Sequence, residues 1–188
     1  MNLYHRRFCA SAGWAKTLEE TVIPWVLRDY NLGQDVLEIG PGPGKATEVL
    51  RRRFERLTCL ELDEKLAESL AARMHGTNVS VRQGDATAMP FADASFSGAI
   101  SMTMLHHVPS RELQDRLLSE VFRVLRPGGV FVGSDSTVNL KFRVVHLFDT
   151  MVPVPPKTFE ERLRRAGFID TAVREGEGAF RFRAVKPH

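Results

Sequence analysis

The chain has 188 residues, 43% of them hydrophobic and 26% charged, with a formal net charge of +3. That is the composition of one globular domain and excludes a disordered chain. Cys9 and Cys59 are too few for a disulfide framework, no Cys/His cluster has zinc spacing, and no apolar run approaches the ~20 residues of a bilayer span.

Trp14, Leu18, Val22, Trp25 and Val26 recur at helical spacing. Pro24 is expected to end one short helix and start another, because proline suits a first helical turn and not an interior. The texture changes at Asp35. Residues Asp35–Gly40 read as a short apolar strand, and Thr47, Val49, Leu50 and Phe54 mark the helix after it. The densest basic cluster, Arg51-Arg52-Arg53, falls on this helix and reads as a solvated face, so a nucleic-acid partner is not expected. Further strands are expected at Leu57–Leu62, Asn78–Gln83, Phe96–Thr103 and Val130–Ser134. Helices are expected at Leu66–Met74 and Leu113–Leu125, the latter stopped by Pro127-Gly128-Gly129. Cys59 lies in an apolar run and reads as a buried thiol.

Alternating strands and helices with short connections imply parallel pairing through right-handed crossovers. The strands are apolar nearly throughout, as strands covered on both faces must be. A helix at Thr158–Ala166 is closed by Gly167. Phe168–Arg174 and Ala179–Val185, joined by Glu175-Gly-Glu-Gly178, then read as an antiparallel hairpin at the sheet edge. The expected fold is α/β: a doubly wound, mostly parallel, seven-stranded sheet with a C-terminal antiparallel hairpin.

Gly40, Gly42 and Gly44 fall between the first strand and its helix. Glycines there let a ligand lie against bare backbone, in the crevice beyond the carboxyl ends of the strands. A dinucleotide site needs G-x-G-x-x-G, but the third glycine is Lys45 counting from Gly40 and Thr47 counting from Gly42. That pattern fails, and what stands instead is G-x-G-x-G preceded by Glu38. Glu61 closes the second strand and can accept hydrogen bonds from both hydroxyls of a ribose. Asp63 is its rival, or the cap of the next helix. Asp85, just past the third strand, can accept from an adenine amino group while the Ala86 backbone donates to the ring.

Leu37-Glu-Ile-Gly-Pro-Gly-Pro-Gly44, Gly84-Asp-Ala86, Met89-Pro-Phe-Ala-Asp-Ala-Ser-Phe96, Leu105-His-His-Val108, Glu120-Val-Phe-Arg-Val-Leu-Arg-Pro-Gly-Gly129 and Leu163-Arg-Arg-Ala-Gly-Phe168 follow in this order. Together they resemble the class I S-adenosylmethionine-dependent methyltransferases, over roughly Asp35 to Val185. One departure is Ser97, where the family often has Asp. The resemblance implies the Rossmann-like methyltransferase fold, with S-adenosylmethionine as methyl donor and S-adenosylhomocysteine as product. It implies cofactor-binding roles for Glu38, Gly40, Gly42, Gly44, Glu61, Leu62, Asp85, Ala86 and Ser101, and no metal. One domain is expected over 1–188: a helical preface (1–34), a cofactor-binding core (35–135), an acceptor-side segment (136–156), and a C-terminal helix and hairpin (157–188).

Methyl transfer from a sulfonium is an in-line displacement in which the protein mainly aligns the reactants. A base is needed only when the acceptor is protonated. His106 and His107 follow the fourth strand at the mouth of the crevice and are the candidates, since an imidazole with a pKa of about 6.5 can take a proton from a hydroxyl. The alternative is that one of the pair merely packs. Leu140, Val144, Leu147, Phe148 and Met151 recur at nearly helical spacing, as either a packed helix or an apolar wall, with Arg143 and His146 as polar groups beside it. A small, partly apolar acceptor and a cytoplasmic location are expected, with an RNA or protein methyltransferase, or a non-catalytic S-adenosylmethionine-binding protein, as the alternatives.

Overall fold

The computed structural model describes residues 7, 9–28, 30–138 and 150–188. The apolar runs form β1 (Asp35–Ile39), β2 (Arg56–Glu61), β3 (Val79–Gln83), β4 (Phe96–Met102), β5 (Leu125–Ser136), β6 (Ile169–Glu175) and β7 (Ala179–Val185). They make one sheet in the order β3-β2-β1-β4-β5-β7-β6. The first five strands are parallel to one another, and β7 runs antiparallel between β5 and β6. The doubly wound sheet with its C-terminal hairpin therefore forms as the pattern dictates. Strand order reverses between β1 and β4, which opens a crevice at their carboxyl ends.

Each face of the sheet buries its own core. Leu37, Ile39, Ala99 and Phe131 pack against Leu117, Leu118 and Val121 of α5 (Arg111–Val124) and Phe159 and Leu163 of α6 (Pro156–Arg165). On the other face, Val36, Leu57, Ile100 and Val132 meet Val49 and Leu50 of α3 (Lys45–Leu50) and Leu70 of α4 (Glu64–Met74). The preface joins that second core through Leu18, Ile23 and Val26. Ser97 is structural: its hydroxyl donates to Leu32 O at 2.8 Å and accepts from Asp35 N at 3.0 Å, fastening the entry of β1.

Three local expectations are corrected. Pro24 does stand in the first turn of a new α-helix, α2 (Ile23–Leu27), but the preface does not end before it and stays helical from α1 (Ala12–Thr17). Between them Leu18–Val22 winds as a π-helix, and Ile23 N–H reaches back five residues to Leu18 O. The wider winding absorbs the missing proline N–H without ending the helix. The Arg51-Arg52-Arg53 cluster lies on the turn that closes α3. There Arg52 N and Arg53 N reach back three residues, to Val49 O and Leu50 O at 3.3 and 2.9 Å, and Arg52 pairs with Glu19. Finally, Pro127-Gly128-Gly129 does not separate helix from strand. β5 already begins at Leu125 opposite Phe96, and a register shift before Gly98 and Val130 takes the extra residues into the sheet.

Candidate active site

A crevice of about 520 Å³ lies over the carboxyl ends of β1, β2 and β3. Gly40 of the glycine loop lines it, while Gly42 and Gly44 shape the loop without lining the crevice; all three take left-handed φ, of 65°, 54° and 79°. At Gly40 the requirement is also steric, since a Cβ would stand 2.2 Å from Met104 Cγ. Glu61 is buried beneath this loop. One carboxylate oxygen accepts from Gly42 N at 2.9 Å and the other from Asp63 N at 3.0 Å. Each oxygen has a second acceptor position. Asp63 lines the same crevice, but its side chain caps α4 by accepting from Leu66 N at 3.0 Å. Asp85 closes the turn after β3, accepting from Thr87 N at 2.7 Å, and lines the crevice with Ala86. Leu62 presents an apolar side chain at 65% exposure beside them.

A second, smaller chamber of about 70 Å³ adjoins the first, lined in part by Trp14, Leu18, Glu38, Lys45, Met102 and Thr103. Gly40, Met104 and His107 line both chambers and form the waist between them. Glu38 is 1% exposed. Its carboxylate accepts from Thr47 Oγ1 at 2.7 Å and from Cys59 Sγ at 3.3 Å, both neutral donors. Burial, with a smaller contribution from the Glu61 charge, pushes its carboxyl up to about 7. Burial also pushes the Cys59 thiol well up, which removes it as a nucleophile.

After β4 the chain makes a 3₁₀ turn, Leu105–His107, that sends its two histidines to different places. His106 is 2% exposed, hydrogen-bonded through Nδ1 to the buried Asp135 carboxylate at the end of β5. The same carboxylate accepts from His106 N at 3.1 Å and from Ser136 N at 2.6 Å. His107 lies at the waist, 4.2 Å from the His106 ring, with Nδ1 3.3 Å from Thr150 O. A carbonyl oxygen only accepts, so this contact needs the hydrogen on Nδ1.

Gly42 and Gly44 line neither chamber, Gly42 N donating to Glu61, but Gly40, Glu61, Leu62, Asp85, Ala86 and His107 converge on the crevice. Glu38 joins them from the smaller chamber, while Ser101 is wholly buried outside the lining of either chamber. Leu140, Arg143, Val144, His146, Leu147 and Phe148 lie outside the described residues. Past them, Val152 N donates to His106 O at 2.8 Å, which ties the end of the acceptor-side segment to the histidine turn. The reading by motifs missed Trp14, Met104 and Asp135. Only the preface pattern hinted at the first, and nothing local marks the other two. Among the described residues no three His, Cys, Asp or Glu side chains are placed to hold a metal ion, and no helix is long and apolar enough to cross a membrane.

Residues 37–133 match the family model described as "Methyltransferase domain". A probable S-adenosylmethionine-dependent methyltransferase of Mycolicibacterium smegmatis is 35% identical over 102 residues, 54% of this chain and 38% of that protein. The chain thus spans well under half of that relative. A demethylmenaquinone methyltransferase of Desulfitobacterium hafniense is 30% identical over 178 residues, 88% of this chain and 67% of the relative. Ribosomal RNA small subunit methyltransferases also stand among the relatives. Among solved structures, Haemonchus contortus phosphoethanolamine N-methyltransferase 2 in complex with S-adenosyl-L-methionine superposes with a TM-score of 0.76 at 18% identity. The match covers 93% of this chain and 53% of that one.

Proposed function

The chain belongs to the S-adenosylmethionine-dependent methyltransferases, and from that premise we propose that it methylates a small, partly apolar acceptor that meets the donor at the Gly40–Met104–His107 waist. The observation that carries this reading is the pair of chambers sharing those three residues. The larger has the size of a ligand site and suits an adenosine. Glu61 accepts from the ribose hydroxyls with its remaining lone pairs, Leu62 gives the purine an apolar face, and Asp85 accepts from its amino group. The smaller chamber suits the amino-acid end. There Glu38 is a buried carboxylate with only neutral donors, and a ligand ammonium supplies the missing positive charge.

When bound, S-adenosylmethionine supplies an electrophilic methyl on a sulfonium that departs as a thioether. The chain contributes alignment, which in the best intramolecular cases lowers a barrier by about 7–11 kcal/mol, and a proton acceptor. With the donor bound, His107 at the waist would take the proton that a protic acceptor loses. His106, turned to Asp135, holds the turn that carries His107.

The test is transfer of labelled methyl to a panel of small phenols, carboxylic acids and amines, with RNA in parallel. Label in a small acceptor, strongly reduced in His107→Ala, supports the reading. Label only in RNA overturns the small-acceptor assignment.

A further inference from the structure

Met104 is the side chain at the waist with a polarisable atom and no formal charge. It lines both chambers, with Gly40 opposite. Its place is set by unusual backbone. Thr103 takes a left-handed φ of 51°, a conformation β-branched residues rarely adopt. It is held there by its N–H donating to Ser134 O at 2.8 Å, while its hydroxyl donates to Met102 O at 2.8 Å. The strained turn ends β4 and throws the Met104 side chain across the loop. A Cβ added to Gly40 would lie 2.2 Å from Met104 Cγ and 3.3 Å from its sulfur. Bare glycine backbone and a thioether therefore face one another where the chambers join, and strain of this kind persists where surrounding structure enforces it.

We propose that Met104 is a specificity-determining residue that favours the charged sulfonium donor over its neutral thioether product. The inference rests on the assignment of the two chambers to the two ends of the donor, which brings the donor sulfur to the waist. The negative end of a polarisable thioether attracts a cation and gains little from an uncharged sulfur of nearly the same shape. Glu38 and Glu61 also favour a cation, but their charges are the same whatever stands at 104. A leucine has nearly the same volume and lacks the sulfur, so Met104→Leu removes the discrimination and keeps the packing.

The experiment is calorimetric titration of wild type and Met104→Leu with S-adenosylmethionine and with S-adenosylhomocysteine. The expected result is weaker donor binding by about threefold with product binding unchanged, so that the ratio of the two dissociation constants moves. Thr103→Gly is the second variant. It relaxes the strained turn, leaves the melting temperature undiminished, and shifts the ratio in the same direction by freeing Met104. A ratio unchanged in Met104→Leu, whether both affinities hold or both fall together, overturns the proposal. Wild type that binds neither ligand overturns the chamber assignment itself, which separates the two failures.

Discussion

Glu38 is where residue chemistry and site meet most directly. Its carboxyl titrates at about 7 in the folded chain against 4.5 for an ordinary glutamate, chiefly because it is buried. A raised carboxyl pKa means the folded state holds the proton more tightly. Its contribution to stability is full below 4.5 and is lost as pH rises through about 7. At most about 3 kcal/mol is involved, since one pKa unit is about 1.4 kcal/mol. Glu38→Gln has no such proton to lose. In denaturant titrations of ligand-free protein, the variant should gain on wild type between pH 5 and 7.5; parallel stability curves would contradict the account. The two histidines should separate in the same way. His106→Ala takes the imidazole from the buried Asp135 carboxylate, leaves it the His106 and Ser136 backbone N–H groups, and should cost about 1–3 kcal/mol in a thermal melt. His107→Ala should melt close to wild type yet lose about 10²–10⁴ in turnover on a protic acceptor. At this scale the sequence was informative where a residue follows a strand end. Glu61 and Asp85 were legible because register alone puts them at the crevice. Asp135 and Met104 were not, since their partners, His106 and Gly40, are distant in the chain.

The glycine loop shows how an element is shaped by what it must pass. Gly40 and Gly76 have similar left-handed backbone, with φ of 65° and 75°, but a Cβ at Gly76 meets nothing within 4 Å. Gly76→Ala should therefore show the conformational cost alone, about 1 kcal/mol, and Gly40→Ala should add about 1–3 kcal/mol of crowding against Met104. In chemical denaturation, Gly40→Ala combined with Met104→Ala should recover part of that excess. Equal losses at both glycines would mean that the loop and Met104 are not in contact. The central strands β1, β2 and β4 were legible because strands covered on both faces read as apolar runs, whereas β3 and β6 have no buried residue and β7 alternates. The misread elements had proline in common. Pro24 and Pro127 both signal a stop locally, yet tertiary packing overrode each. Leu18, Ile23 and Val26 hold the preface helical through a π turn, and pairing with β4 draws the Pro-Gly-Gly segment into β5.

For the molecule as a whole, the order of the sheet makes the site. The reversal between β1 and β4 opens the crevice, the antiparallel β6–β7 hairpin closes the far edge of the sheet, and the preface, lying over the loop, walls the smaller chamber with Trp14 and Leu18. The doubly wound sheet follows from strand–helix alternation and the hairpin from its short link, Glu175-Gly-Glu-Gly178, so both were legible in the sequence, while the strand order was not. Nor was the place of the preface, because nothing in it names the loop it covers.

The central claim is that the two chambers together hold one S-adenosyl ligand. Its most direct test is calorimetric titration of the full chain with S-adenosylhomocysteine, with NAD as the control and Glu61→Ala alongside. Saturable, micromolar binding of the first is expected, with none of the second and a loss of about tenfold or more in the variant, as when hydrogen bonds to a charged group are removed. Folded, ligand-free protein that does not bind S-adenosylhomocysteine, or that binds it equally well without Glu61, would contradict it.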